Sequence, residues 1–196
     1  LRSQDIEYTL AFGRNFYSFR TYITYNAANG KTGAFHPERI HQVVVEKRPI
    51  VFLFPGQGSQ MEQMGNRLYQ ESPFFREQLN LVAQLFEGIT GINYLGYIFP
   101  QSQEDADHLH QTGIAQPVMF MIEYALATFW IEQGIKPDAM FGHSLGEYAV
   151  ACIAGVLSLE DAVKLVAVRA KLMQALPPGG MAAVKLTEQE AVQLGS

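Results

Sequence analysis

Residues 140–148 read Met140-Phe141-Gly142-His143-Ser144-Leu145-Gly146-Glu147-Tyr148, and this stretch decides the fold. Two apolar residues suited to a strand run into a G-x-S-x-G element, and the residues over 147–154 suit a helix packed closely on its neighbours. A strand that turns so sharply into a helix forces its central residue into a strained backbone conformation, and flanking glycines, here Gly142 and Gly146, leave room for it. The turn holds the Ser144 oxygen out over the helix N-terminus, where exposed backbone N–H groups can stabilise an oxyanion; the Leu145 N–H is the leading donor. A tight turn with an unreactive serine stays open as the alternative, because so short a pattern recurs by chance. The strand-to-helix context favours a nucleophile.

Toward the N-terminus, residues 50–54 are β-branched and aromatic and read as a strand, set apart by Pro49 from a second strand-like run, Val43-Val44-Val45. Phe54-Pro55-Gly56-Gln57-Gly58-Ser59-Gln60 follows directly, and its two glycines let the backbone approach a ligand. Met61 stands where a dinucleotide fingerprint needs its third glycine, and no Gly-Lys-Ser/Thr follows to make a P-loop. Apolar residues at Phe75, Leu79, Val82 and Phe86 keep helical spacing and predict a helix over 73–86; a second runs over about 115–133. Ser158-Leu159-Glu160-Asp161 opens a helix that runs to about 175, ahead of Pro177-Pro178-Gly179-Gly180. Residues 181–186 read as a strand and Thr187-Glu188-Gln189-Glu190 as a capping box. Strands alternating with helices specify an α/β fold with a mainly parallel sheet and flanking helices. Residues 1–48 differ in character, with a helix-like piece over 4–12 and turn chemistry over 26–33, so a boundary is placed near 48.

Composition narrows the function classes. A formal charge of -5 leaves no basic surplus to displace counterions, which argues against nucleic acid or an acidic membrane as partner. One cysteine, Cys152, excludes an internal disulfide and a thiolate cluster for zinc, and no metal site is expected. The apolar stretch over 117–131 is broken by Glu123 and reads as too short for a bilayer, so a soluble, cytoplasmic protein is expected.

Arg169 has Leu165, Val166, Leu172 and Met173 as its helical neighbours, which puts its guanidinium on an apolar face. A buried cation needs a partner. An internal Asp or Glu is one answer; a substrate carboxylate gripped in bidentate fashion is the other.

Taken together, these residues resemble the malonyl-type acyltransferases of fatty-acid and polyketide synthesis. The resemblance runs from about residue 50 onward and rests on Phe54-Pro-Gly-Gln-Gly-Ser-Gln60, Ala115-Gln116-Pro117, Gly142-His-Ser-Leu-Gly-Glu-Tyr148, Arg169 placed 25 positions after the serine, and Gly180-Met-Ala-Ala-Val184. It implies an α/β-hydrolase-like large subdomain over 49–178 and the start of a small ferredoxin-like subdomain over 179–196. It implies further that Ser144 is acylated by malonyl-CoA, that Arg169 binds the extender carboxylate, and that the backbone N–H groups of Gln57 and Leu145 form the oxyanion hole. Gln116, His143, Gly56 and Gly58 would line the pocket around them. The acyl group would pass to the phosphopantetheine thiol of an acyl carrier protein, with no permanently bound cofactor.

Residues 1–48 resemble the end of the linker joining ketosynthase to acyltransferase in modular polyketide synthases, which implies an adjacent ketosynthase and a remainder of the acyltransferase as neighbours. The family's general base is a histidine from beyond the small subdomain. The histidines here are His36, His41, His108, His110 and His143, and the resemblance gives His143 another place than that of the base. The 196 residues alone are therefore expected not to turn over. Two competing readings are a serine esterase or thioesterase of the α/β-hydrolase type, whose histidine would have to follow Ser144, and a non-catalytic docking module of a megasynthase.

Overall fold

Pro49 follows Arg48 at the point where the chain divides into two compact units, Leu1–Arg48 and Pro49–Ser196. The computed structural model describes residues 19–20, 25–26, 29, 31–33, 41–42, 48–177, 179, 185–187 and 190. In the first unit β1 (Phe19–Arg20) pairs antiparallel with β4 (His41–Gln42), and β2 (Tyr25–Asn26) with β3 (Lys31–Thr32). The second pair brackets Asn29, within the run read as turn chemistry. The helix read over 4–12 and the strand over 43–45 lie outside the described residues, as does most of the strand over 181–186. Lys185 and Leu186 carry no regular structure. The capping box is made: Glu190 Oε2 accepts from the Thr187 N–H at 2.9 Å and from its hydroxyl at 2.7 Å.

In the second unit β5 (Val51–Phe54) lies parallel to β6 (Ala139–Gly142), with Val51 opposite Ala139 and Phe54 opposite Gly142. Parallel neighbours need a crossover, and this one is helical. It consists of α1 (Asn66–Glu71), α2 (Pro73–Thr90), α3 (Leu95–Ile98), α4 (Gln103–His108) and α5 (Thr112–Glu132). After β6 come α6 (Gly146–Ile153) and α7 (Leu159–Gln174). The α/β architecture with a parallel sheet and flanking helices is thus the one the sequence specifies.

Helix α2 shows how the sequence makes these elements. Ser72 accepts from the Phe75 N–H at 3.2 Å, Pro73 occupies the first turn, and Gly91 closes the helix at φ 71°. Phe75, Leu79, Val82 and Phe86 are all fully buried, each contributing about 1.5–3 kcal/mol relative to exposure. They face α5, where the Phe86 and Phe120 rings meet edge-on at 6.0 Å. Helix α7 also packs against α5, and its small residues Ala162, Ala167 and Ala170 are buried. Helix α5 is therefore central, and it starts three residues earlier than the sequence pattern indicates. Pro117 lies inside it, in the second turn, where the carbonyl left without its helical donor is that of Gly113.

By length and composition α5 could cross a membrane, in contrast to the shorter stretch read from the sequence. Two-thirds of its apolar window (67%) is buried within the unit, as expected of a core helix.

Among the described residues one charged side chain sits in this core. Glu123 on α5 is 6% exposed, and neither carboxylate oxygen has a hydrogen-bond partner among the described residues. It borders an apolar cavity of about 510 Å³ lined also by Val51, Leu53, Met119 and Trp130. Burial pushes its carboxyl up from 4.5 to about 8. Because the folded value is the higher one, the stability this group contributes is complete below about pH 4.5 and is lost as pH rises toward 8. Between pH 6 and pH 9 the loss is on the order of 2–3 kcal/mol. Glu123→Gln cannot ionise, so its stability relative to wild type should rise across that interval; urea denaturation at both pH values measures it. Parallel pH slopes in the two proteins would show that Glu123 finds a cation in solution.

Candidate active site

The turn from β6 into α6 is built by two backbone approaches. A Cβ on Gly142 would overlap the Glu147 backbone nitrogen, and a Cβ on Gly146 would overlap the Phe54 carbonyl oxygen. Both glycines are thus required by space, whatever their φ. Between them Ser144 adopts φ 55°, in the left-handed region that costs a non-glycine residue about 1–3 kcal/mol. The Ser144 carbonyl accepts from the Glu147 N–H at 3.3 Å, and His143 N–H donates to the Phe54 carbonyl at 2.9 Å, locking the elbow onto the end of β5. Leu145 is fully buried beneath it, so its side chain belongs to the core while its backbone belongs to the elbow.

The Gly56-Gln57-Gly58 loop leaves β5 alongside this elbow. A Cβ on Gly56 would come within 2.9 Å of His143 Nδ1 and 3.0 Å of the His143 carbonyl, so glycine is needed for the loop to lie there. Gly58 has φ 115°, and its N–H donates to Gln60 Oε1 at 2.8 Å. Buried Gln60 in turn meets His110 Nδ1 at 3.3 Å. Neither the Gln57 N–H nor the Leu145 N–H has an acceptor among the described residues.

Arg169 on α7 comes to the same place. Its Nη2 donates to Ser144 Oγ at 3.0 Å, its Nη1 donates to Gln116 Oε1, and its guanidinium carbon lies 5.7 Å from the centre of the Tyr148 ring. Among the described residues no carboxylate lies within ion-pair distance of it. The apolar surroundings read from the sequence need correcting: Val166 is buried, but Leu165, Leu172 and Met173 are 47%, 63% and 42% exposed. Arg169 is half-buried at the rim of the apolar face, where its head reaches the elbow.

The structure therefore brings together Ser144, Leu145, Gln57, Gly56, Gly58, His143, Gln116 and Arg169. His108 packs edge-on against Tyr97 instead, and His110 serves Gln60. None of His108, His110 and His143 is hydrogen-bonded to Ser144 among the described residues. Sequence reasoning missed Thr112 and Tyr148. Thr112 Oγ1 accepts from Gln57 Nε2 at 3.1 Å. It stands four residues before Gln116, on the same helix face, and that spacing was the available signal. Gln116 is fully buried and donates to Gln57 Oε1 and Met173 Sδ, each at 3.3 Å.

Comparison with known proteins meets this geometry directly. The profile of the acyl transferase domain family matches residues 51–195, which takes in the loop, the elbow and Arg169. The chain belongs to that family. The acyltransferase is 39% identical over 144 residues to a phenolphthiocerol/phthiocerol polyketide synthase polypeptide of Mycobacterium tuberculosis, covering 74% of this chain and 10% of that one. Among solved structures it is similar to the acyl transferase domain of ZmaA, with 40% identity and a TM-score of 0.72 over 80% of this chain and 37% of the other. It is similar also to a malonyl-transacylase solved with a type II polyketide synthase acyl-carrier protein, with 32% identity and a TM-score of 0.57 over 66% and 40% of the two chains. The chain spans about a tenth of the length of the mycobacterial relative it matches.

The elbow geometry makes a test of packing. Gly146→Ala should destabilise the acyltransferase by at least about 1–3 kcal/mol, since backbone blocks the new methyl on one side. Gly88→Ala, inside α2 with nothing within 4 Å of the added carbon, should instead stabilise by about 0.5–1 kcal/mol. Chemical denaturation of both variants against wild type is the measurement, and a similar loss in both would remove the steric account of Gly146.

Proposed function

We propose that this acyltransferase transfers a malonyl-type group from coenzyme A to the phosphopantetheine thiol of an acyl carrier protein, by way of an ester on Ser144. The observation that carries the reading is Arg169. A half-buried guanidinium, uncompensated by any described carboxylate and 3.0 Å from a strained serine hydroxyl, is placed to hold an anionic group on the acyl chain being transferred. An esterase for neutral esters has no use for such a charge. The similarity to synthase acyltransferases and to a malonyl-transacylase supports the same choice.

In the first half-reaction Ser144 Oγ attacks the thioester carbonyl, the carbon–oxygen bond forms, and the carbon–sulfur bond then breaks to release the thiolate of coenzyme A. Negative charge gathers on the carbonyl oxygen, within reach of two unoccupied donors, the Gln57 and Leu145 N–H groups. Each such donor typically lowers the barrier by about 3–4 kcal/mol. Arg169 turns from Ser144 Oγ to the free carboxylate and fixes the acyl group in register. It stays cationic throughout and takes no proton. The Oγ proton goes to the histidine that the family supplies from beyond residue 196, which returns it to the departing sulfur. In the second half-reaction the same base takes the proton of the carrier thiol as its sulfur attacks the seryl ester, the bond from the acyl carbon to Ser144 Oγ breaks, and the proton passes to Oγ to regenerate the serine.

We place this domain in a multidomain polyketide synthase, in the cytoplasm, with Leu1–Arg48 as the end of the linker from a ketosynthase. The similarity to the mycobacterial synthase polypeptide and the unit boundary at Pro49 support the synthase setting and the linker.

Incubation of the intact synthase polypeptide with malonyl-CoA should add one malonyl mass to the peptide bearing Ser144, and Ser144→Ala should abolish the addition; acylation of that variant at full stoichiometry would move the nucleophile elsewhere. Arg169→Ala should cut malonyl transfer by about 2–4 kcal/mol while acetyl transfer falls far less or rises. Equal losses for both acyl groups would give Arg169 a structural role instead.

A further inference from the structure

The contacts around Arg169 form a directed chain. Arg169 Nη1 donates to Gln116 Oε1, Gln116 Nε2 donates to Gln57 Oε1, and Gln57 Nε2 donates to Thr112 Oγ1. Every link runs donor to acceptor in one direction, away from the cation. A primary amide is ambivalent: rotated by half a turn it exchanges its oxygen for its NH2 group. The sense in which each amide sits is therefore set by the two ends of the chain. At one end Arg169 offers only N–H and needs an oxygen from Gln116. At the other end an acceptor is needed for the Gln57 NH2 group, and Thr112 Oγ1 is that acceptor.

We infer that Thr112 is a positioning residue for the transfer reaction, which fixes the orientation of Gln57 and, through Gln116, the aim of Arg169. The inference rests on the roles given above to Ser144, Gln57 and Arg169. Its importance follows from where Gln57 stands. The residue is exposed, and glycines on both sides leave its peptide few steric restraints. Its backbone N–H is one of the two oxyanion donors, so the side-chain anchor on Thr112 holds a group whose usefulness depends on direction. Gln116 has less freedom, being fully buried with Met173 Sδ as a second acceptor for its NH2 group. The carboxylate clamp on α7 and the oxyanion donor after β5 thus share one string of side chains that ends at the first residue of α5. Among the described residues Thr112 hydrogen-bonds neither Ser144 nor Arg169.

The variant that isolates the hydroxyl is Thr112→Val, which keeps shape and removes the acceptor; Thr112→Ser keeps the acceptor and loses a methyl. In the intact synthase polypeptide the acylation of Ser144 by malonyl-CoA and by acetyl-CoA is followed by quenched-flow mass spectrometry. Thr112→Val should lower kcat/KM for malonyl-CoA about tenfold and for acetyl-CoA about threefold, because acetyl uses the Gln57 oxyanion donor but not Arg169, whereas malonyl uses both. Thr112→Ser should stay within about twofold of wild type. Gln57→Met should cost a similar factor, and combining it with Thr112→Val should add little, since both break one chain. Equal falls for the two substrates, no rescue by serine, or full additivity would each overturn the inference and leave Thr112 as an ordinary helix-start residue. Absence of malonyl on wild-type Ser144 would fail the reading of the site itself, and with it the inference.

Discussion

Everything at the site depends on how closely two backbones can approach at the carboxyl ends of β5 and β6. The Phe54 carbonyl sits where a side chain at residue 146 would begin, and the Glu147 nitrogen where one at residue 142 would begin. With glycine at both positions the strand can fold back into α6 within a few residues, and the remaining torsional misfit falls on Ser144 at φ 55°. The misfit is sustained because Leu145 on one side is wholly buried and the His143 N–H on the other is bonded to β5. Core packing therefore holds Ser144 out of the conformation it would choose alone.

Electrostatics complete what sterics begin. Among the described residues Arg169 approaches Ser144 with neutral partners, a glutamine oxygen, a hydroxyl and an aromatic face. Neutral groups orient a cation without cancelling it, so its charge is available to an anion that arrives later. An aspartate in the place of Gln116 would satisfy Arg169 better in isolation and would leave nothing for a substrate. The fully buried amide at residue 116 is the compromise between leaving a cation unsupported and neutralising it.

How much of this could be read from the residues differs by element. Helix α2 was legible because its apolar residues keep one face, although that spacing ends at Phe86 while the helix runs on to Thr90 before Gly91 closes it. The elbow was legible for a similar reason, since its steric requirement is local. The start of α5 was not, because Pro117 sits in its second turn and weighs against a helix beginning before about 115, a cost that tertiary burial of the helix offsets. The short helices α1, α3 and α4 lack the length to show a period at all. Arg169 was found for a reason only partly right: its sequence neighbours are apolar, but most of them face outward, and a run of side chains carries no label for which face meets the core. Thr112 was missed because its partner lies 55 positions away in the chain.

The left-handed conformation at Ser144 carries an evolutionary consequence. Glycine at that position would be free of the strain, so the substitution that removes the proposed nucleophile is also one that relaxes the backbone. Selection for folding and selection for chemistry pull in opposite directions at this one residue. In a gene copy released from such a duty, replacement of the serine by glycine would relieve the backbone at the cost of one acceptor for Arg169, a small net change for a fold that keeps both elbow glycines.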